Sequence, residues 1–411
     1  MTSSVAAIKL VEFGARSMLI LLCIYLMPAA EAARFGTVML FVGFFSFLVG
    51  QERYVDLQRR ISALSHVDAG AAIISYGRLI SVGYLLGIPL LYVLLREFAG
   101  VTNQEALLAV MVAVVEHLSQ ECYRIVLITD RHRVLLFGSA AKTVVVLAVV
   151  SVIAIIRGHA LSLESVLFWW TAVGCMWILL SAIEIRCLVL SGQGGERIGL
   201  RTQCTRSYRH FAIGLVAILA LQADRFVAIR VLGVEELAQY FRAVMTAGAA
   251  YQILVICSFN RIALDAYRRL RLGEHGVVRM VFRRERAAYL LVMIAVPLTT
   301  EAARRFLGIS WIEATVPPFA VVALACGSSL VRGVADFESI VLNHLHIESR
   351  VFLSHAIGLC TTVVAASTLG STFGLRGLLC GSVVGSCAMA ASLYFGAQRG
   401  LARLQGESRQ A

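Results

Sequence analysis

The dominant pattern along this chain is the long apolar run. Stretches of roughly 20 residues, almost free of charge, recur at 8–28, 35–51, 71–95, 104–124, 134–156 and 164–186. A second set follows at 210–231, 237–258, 288–303, 315–332, 351–369 and 375–397, the second and ninth of the twelve being short. None shows the alternation of a half-buried strand, and runs of this length predict membrane-spanning helices. The segments between them are short and rich in Arg, Gly and Ser, as connecting loops are.

Composition sharpens that picture. Hydrophobic residues make up 59% of the 411 and charged residues 15%. Twelve helices of about 20 residues use roughly 240 positions, which nearly exhausts the apolar stock. An ordinary soluble enzyme, a disordered chain and a secreted domain are excluded, and little is left for an extramembrane domain. The sequence therefore predicts an all-α polytopic membrane protein. The apolar run from Ile8 to Met27 exceeds a signal-peptide core, so no cleavable leader is expected. The ten Cys are dispersed without a CxxC pair. Most sit in apolar runs, where Cys acts as a small hydrophobe.

Charge sets the orientation. The 37 basic and 25 acidic residues leave a net +12, and Lys9 and Lys142 are the only lysines. A cytoplasmic N-terminus places 52–70, 125–133, 187–209, 259–287 and 333–350 inside, with about 25 basic residues there against about 7 outside. The stretch from Arg261 to Arg286 alone carries eight arginines. This is the positive-inside pattern; nucleic-acid binding would need aromatic interleaving or a recognisable fold, and neither is present. Outer loops are too short to hold a polymer substrate, which argues against a membrane polymerase or ligase.

The halves also echo one another. Pro28-Ala-Ala-Glu31-Ala-Ala-Arg34-Phe35-Gly36 precedes the second span, and Leu232-Gly233-Val-Glu235-Glu236-Leu-Ala-Gln239-Tyr240 precedes the eighth. Glu31 aligns with Glu236 and Phe35 with Tyr240, an offset of 205 residues, and Pro89 and Pro297 are about half a chain apart. A six-plus-six duplication follows: two six-helix bundles, 1–190 and 210–411, joined by a cytoplasmic linker at 191–209. Six helices per unit implies a pseudo-two-fold along the membrane normal.

The Pro28-x-x-Glu31-x-x-x-Phe35-Gly36 pattern resembles the signature of bacterial oligosaccharide flippases. So does Asp224-Arg225-Phe226 leading into Gly233-x-Glu235-Glu236-x-x-x-Tyr240. These belong to the multidrug/oligosaccharidyl-lipid/polysaccharide exporter superfamily. The segment Glu116-His117-Leu-Ser-Gln120-Glu121-x-x-Arg124, followed by Arg131, is similar to members from surface-polysaccharide loci. The resemblance implies a V-shaped pair of bundles in the bacterial cytoplasmic membrane. It would move a polyprenyl-pyrophosphate-linked glycan to the outer leaflet during O-antigen or exopolysaccharide biosynthesis. It implies no cofactor and no catalysis, and other polysaccharide-assembly proteins as candidate partners. The alternatives are a cation-coupled multidrug exporter of the same superfamily and a membrane enzyme of glycan assembly.

The residues can be weighed independently of that likeness. A pyrophosphate crossing a low-dielectric layer needs fixed cations, and a charge at the helix centre costs about 2.5–3.5 kcal/mol on insertion scales. Five basic residues lie well within spans: Arg16, Arg78, Lys142, Arg225 and Arg242. They are candidate substrate-binding residues, because Arg donates two parallel hydrogen bonds to phosphate; the competing explanation is snorkelling to an interface. By helix rise, Arg16 lies about 12 Å from the cytoplasmic end of its span and Arg242 somewhat under about 10 Å from the outer end of its own. That separation suits a hand-over of one anion between them. The candidate coupling or cavity acids are Glu12, Glu116 and Asp224, whose alternative role is to lock helices together. Glu12 sits four residues before Arg16 and could pair with it. Glu116, Gln120 and Arg124 draw one polar stripe. Asp224 points about 100° away from Arg225 and needs another partner, either a cation from elsewhere or a bound proton or Na⁺.

Other signals are weak. Gly138 to Thr143 resembles a phosphate loop, but Ala141 stands where Gly is required. The glycine-rich stretch from Gly192 to Gly199 fits a flexible linker. His344 and His346 point to opposite sides of a helix, so no metal is expected. The topology makes the first prediction: reporter fusions at Gln410 and within 259–287 both give a cytoplasmic signal, and a periplasmic signal at Gln410 breaks the twelve-span reading.

Overall fold

The computed structural model describes residues 3–50, 66–129, 133–156, 161–190, 200–306, 315–345 and 347–410. The expected linker stretch 191–199, most of the 51–70 loop, Arg131 and His346 lie outside the described residues, as do the side chains of Arg124 and its neighbours. Every element among the described residues is helical: α1 Ser3–Leu26, α2 Ala29–Gly50, α3 His66–Phe98, α4 Asn103–Thr129, α5 Arg133–Ile156 and α6 Leu163–Leu190. The second half holds α7 Leu200–Val231, α8 Val234–Leu254, a π turn Val255–Phe259, α9 Asn260–Arg271, α10 His275–Phe306, α11 Phe319–His344 and α12 Glu348–Gln410. Gly374 breaks α12 into two arms, so that twelve passes correspond to the twelve apolar runs.

Nine of these helices, α12 counted once, are long and apolar enough to cross a membrane. The long ones left out are α1 and α4, which carry the buried charges described below. Exposed Leu85, Leu86, Ile155, Ile156, Leu179 and Leu180 give helix faces suited to lipid. Two spans are longer than hydropathy suggests. The second occupies all of α2, and the ninth is the C-terminal part of the 32-residue α10. The expected 259–287 loop is itself helical: a π turn, the amphipathic α9 and the start of α10, turned by Gly273 at φ 76°. Arginine at that end pulls hydropathy down without breaking the helix, since Arg has good helix propensity.

Contacts divide the chain into two compact units, 1–215 and 216–411, the boundary falling inside α7. In the first unit α4 packs against α2, α3, α5 and α6, while α1 lies on α5. In the second, α11 packs against α8, α9, α10 and α12. The fourth membrane helix of each half is thus the one its neighbours gather around. Phe35 and Tyr240 are both fully buried, and Pro89 and Pro297 both lie inside helices.

The repeated glutamates do equivalent work in the two units. Glu31, in the first turn of α2, accepts a hydrogen bond from the Leu163 amide at the start of α6 at 2.8 Å. Glu236, in the first turn of α8, accepts one from the Leu375 amide at the start of the second arm of α12 at 3.4 Å. Each carboxylate meets an amide that has no intrahelical partner, at the positive end of a helix. In the first unit Arg34 ties the arrangement to α4, bonding Glu31 and, at 3.1 Å, both oxygens of Glu105. Glu105 and Thr102 form the reciprocal capping box of α4, at 2.7 and 3.2 Å.

Gly374 turns the chain into that second amide with φ 60° and ψ −143°, a conformation that L residues avoid. A Cβ there would also sit 2.7 Å from Glu236 Oε1. Gly374→Ala should therefore lower stability by about 1–3 kcal/mol, seen as a reduced unfolding temperature of the purified protein. Gly248→Ala, where a Cβ meets nothing within 4 Å, is the neutral control.

Candidate functional site

Each unit buries a polar network around its central helix. In the first unit Glu116 of α4 is 4% exposed. It receives Lys142 Nζ from α5 at 2.6 Å, Trp170 Nε1 from α6 at 2.9 Å and Arg16 Nη1 from α1 at 3.2 Å. Next to it Lys9 donates to Glu12 at 2.8 Å, and Glu12 takes a second bond from Ser139 of α5 at 3.0 Å. Ser139 in turn bonds Ser119 of α4. Lys142 also lies over the Trp177 ring, 5.5 Å from its centroid. Two carboxylates thus hold three cations. A buried carboxylate left single would be severely destabilising, and the flanking cations remove that cost.

The opposite face of α4 carries a second chain. Tyr84 bonds His117 Nδ1 at 2.6 Å, His117 Nε2 lies 3.3 Å from Glu121, and Tyr76 donates to Glu121 at 2.7 Å. The 100° step between Glu116 and His117 sends the two networks to different neighbours.

In the second unit the central feature is Arg332 of α11. Its guanidinium donates to the Leu221 carbonyl at 2.7 Å, to Ser386 at 3.0 Å and to Ser382 at 3.2 Å. Asp224 of α7, 3% exposed, lies 3.7 Å from it and accepts from Ser382 at 2.8 Å. The Tyr240 hydroxyl sits next to Asp224 without a hydrogen bond of normal geometry, in the field of Arg225 and Arg332. One turn along α11, Asp336 accepts from Tyr251. Gly333 makes room for this: a Cβ there would come within 2.8 Å of Tyr289 and 3.0 Å of Tyr251.

These positions sort the candidates. Arg16, Lys142 and Glu116 come together, while Glu12 bonds Lys9 and, through Ser139, reaches Ser119 of the same helix α4. Glu12 does not pair with Arg16 as its spacing suggests. Lys9, one turn earlier, takes Glu12, and Arg16 is drawn to Glu116. Arg78 is exposed on α3, outside this cluster. Gln120 is half-buried beside Glu116, on the stripe expected for α4. Asp224 has the cation from elsewhere that its geometry required. Arg225 is half-buried beside it, and Arg242 is buried at 3% exposure on α8.

Sequence reasoning missed Arg332 by treating it as the end of a span, and missed Lys9 as a residue of the entry segment. Four-residue spacing was the available signal: Ser328, Arg332 and Asp336 share one face of α11, and Ser382 and Ser386 one face of α12. Gly138 to Thr143 lie inside α5 and form no phosphate loop. Among the described residues, no cluster of three metal-ligating side chains occurs.

No protein-family model matches the chain, and no curated protein sequence matches it. Solved structures do. A mutant of the Vibrio cholerae MATE transporter VcmN is 16% identical over 98% of both chains, with a TM-score of 0.65. An inward-facing multidrug resistance MATE family transporter of the MOP superfamily is 12% identical over 97% of this chain and 96% of its own, with a TM-score of 0.66. The lipid II flippase MurJ, inward closed, is 11% identical over 96% of this chain and 87% of its own, with a TM-score of 0.69. The chain has the all-α, multi-pass fold that these membrane transporters share.

The Glu116 cluster predicts a non-additive response. Glu116→Gln strands Arg16 and Lys142 without their anion and should cost about 3–5 kcal/mol of stability. Adding Lys142→Met should return part of that loss, measured as unfolding temperature in one detergent. Simple additivity would refute the pairing.

Proposed function

We propose that this protein is a flippase. Its cargo on this reading is a polyprenyl-pyrophosphate-linked oligosaccharide, moved from the inner to the outer leaflet of the bacterial cytoplasmic membrane during surface-polysaccharide assembly. Both termini face the cytoplasm. The observation that carries the reading is the surplus of fixed cation in the first unit, where Lys9, Arg16 and Lys142 face Glu12 and Glu116. Lys142 is buried, but the Arg16 side chain is 24% exposed while its Nη1 lies 3.2 Å from Glu116. Glu116 therefore fixes the guanidinium in place without saturating it. A pyrophosphate oxygen arriving there would meet a planar donor held in place by Glu116 and still partly open, which is the arrangement Arg provides for phosphate. In the second unit Arg332 is the corresponding cation beside Asp224.

The second reading is an exporter of cationic drugs, since MATE transporters share this fold. Asp336, half-buried beside Tyr251, is the acid that such a substrate would meet. Deleting the gene separates the two: accumulation of lipid-linked intermediates on the cytoplasmic leaflet supports the flippase, and drug sensitivity without that accumulation supports the exporter.

Arg16 gives the sharper test. Arg16→Lys keeps the charge and loses the fork, so partial complementation is expected. Arg16→Gln should lose about 1.5–3 kcal/mol of substrate binding and fail to complement at matched expression. Full complementation by Arg16→Gln rules out Arg16 as the phosphate anchor.

A further inference from the structure

A cavity of about 230 Å³ opens among α9, α10, α11 and the second arm of α12 in the second unit. One wall is a basic stripe on α10: His275, Arg279, Arg283 and Arg286 at spacings of four, four and three, which keeps them on a single helix face. The floor is apolar, with Val278, Phe282 and Val341 each at most 5% exposed. Among the described lining residues Glu338 is the one acid, and it bonds Arg286, so that no acid among them pairs with Arg279 or Arg283. Two buried nitrogens at its edge, His275 Nδ1 and Arg286 Nε, have no hydrogen-bond partner.

The same pair of helices carries a second cavity further along. It measures about 200 Å³ and is lined only by apolar residues and Gly327, among them Met293, Ile294, Pro297 and Leu330. Arg286 to Ile294 spans about 12 Å of helix rise. The face of α10 between them exposes Ala287, Leu290 and Leu291. A basic hollow, an apolar strip and an apolar hollow therefore follow one another along the α10–α11 seam. Arginines placed where a membrane helix enters the interface attract acidic headgroups. Unpaired donors in a concave, half-dry site can also form charge-assisted bonds that a flat surface cannot.

We infer that the α9–α12 cavity binds the phosphate headgroup of an anionic phospholipid, whose acyl chain runs along α10 into the apolar hollow. This site is separate from the Glu116 network. It stands whatever the transported substrate is, because it needs only the basic end of α10 to lie at the membrane–water interface.

The test uses the full chain in nanodiscs of dioleoylphosphatidylcholine with increasing dioleoylphosphatidylglycerol, read by native mass spectrometry as retained lipid. Saturable retention of phosphatidylglycerol is expected. Arg279→Gln with Arg283→Gln should weaken it about twenty-five-fold, about fivefold per arginine. The pair Arg279→Lys with Arg283→Lys should weaken it less. Arg268→Gln with Arg271→Gln, exposed on α9 outside the cavity, should leave it nearly unchanged. Should the Gln pair not purify as a monodisperse protein, the single variants Arg279→Gln and Arg283→Gln carry the same test. Wild-type retention by the Gln variants, or an equal loss in the α9 control, overturns the site in favour of diffuse surface charge. Displacement of the lipid by glycerol phosphate at matched concentration overturns the lipid assignment in favour of a free phosphate.

Discussion

A charge carried into hydrocarbon must find a counter-charge or a set of hydrogen bonds, because neither lipid nor apolar side chains can solvate it. Much of this chain's architecture follows from meeting that demand. In the first unit the demand gathers α1, α5 and α6 around Glu116 and Ser119 of α4. In the second it gathers α7, α8 and α12 around Arg332 and Asp336 of α11. The apolar packing that surrounds these points is interchangeable in kind, as lipid and leucine are alike to a helix. The polar contacts are specific in direction and partner. They fix which helix lies beside which.

The two halves correspond in sequence at few positions, and the clearest of these carry polar contacts. Glu31 and Glu236 are acids in both halves, and each satisfies a helix-end amide that has no intrahelical partner. Phe35 and Tyr240, one turn later, persist as large buried rings. Elsewhere the halves diverge: the acid of the fourth helix in the first unit, Glu116, has no acid at the 205-residue offset, where Val321 stands. In the second unit the central helix carries the cation and α7 the acid, so Arg332 with Asp224 reverses the polarity of Glu116 with Arg16 and Lys142.

The hydropathy of the chain was sufficient for the membrane helices and their number, since a membrane helix needs only length and apolarity to be recognised. Partner choice was not legible. Whether Glu12 meets Arg16 or Lys9 depends on rotamers and on Glu116 arriving from another helix, and no single-helix spacing contains that. Arg332 was hidden for a related reason: at the edge of an apolar window it looks like an interfacial residue, while α11 in fact continues for twelve more residues to His344. Boundaries drawn from hydropathy end where charge begins, so they systematically cut off the turns in which a membrane helix keeps its polar chemistry.

Placing three cations against two carboxylates has a consequence for how the first unit can move. Glu116 serves Lys142, which is buried at 3% exposure, and Arg16, which is not. The Lys142 contact, at 2.6 Å and dry, is the stronger of the two, and the Arg16 contact is longer and partly wet. Losing Arg16 leaves Glu116 still neutralised by Lys142 and still bonded to Trp170, so the core of the network holds while α1 is released from α4. The surplus charge means that removing the Arg16 contact leaves no bare carboxylate in the low-dielectric interior, because Lys142 stays on Glu116.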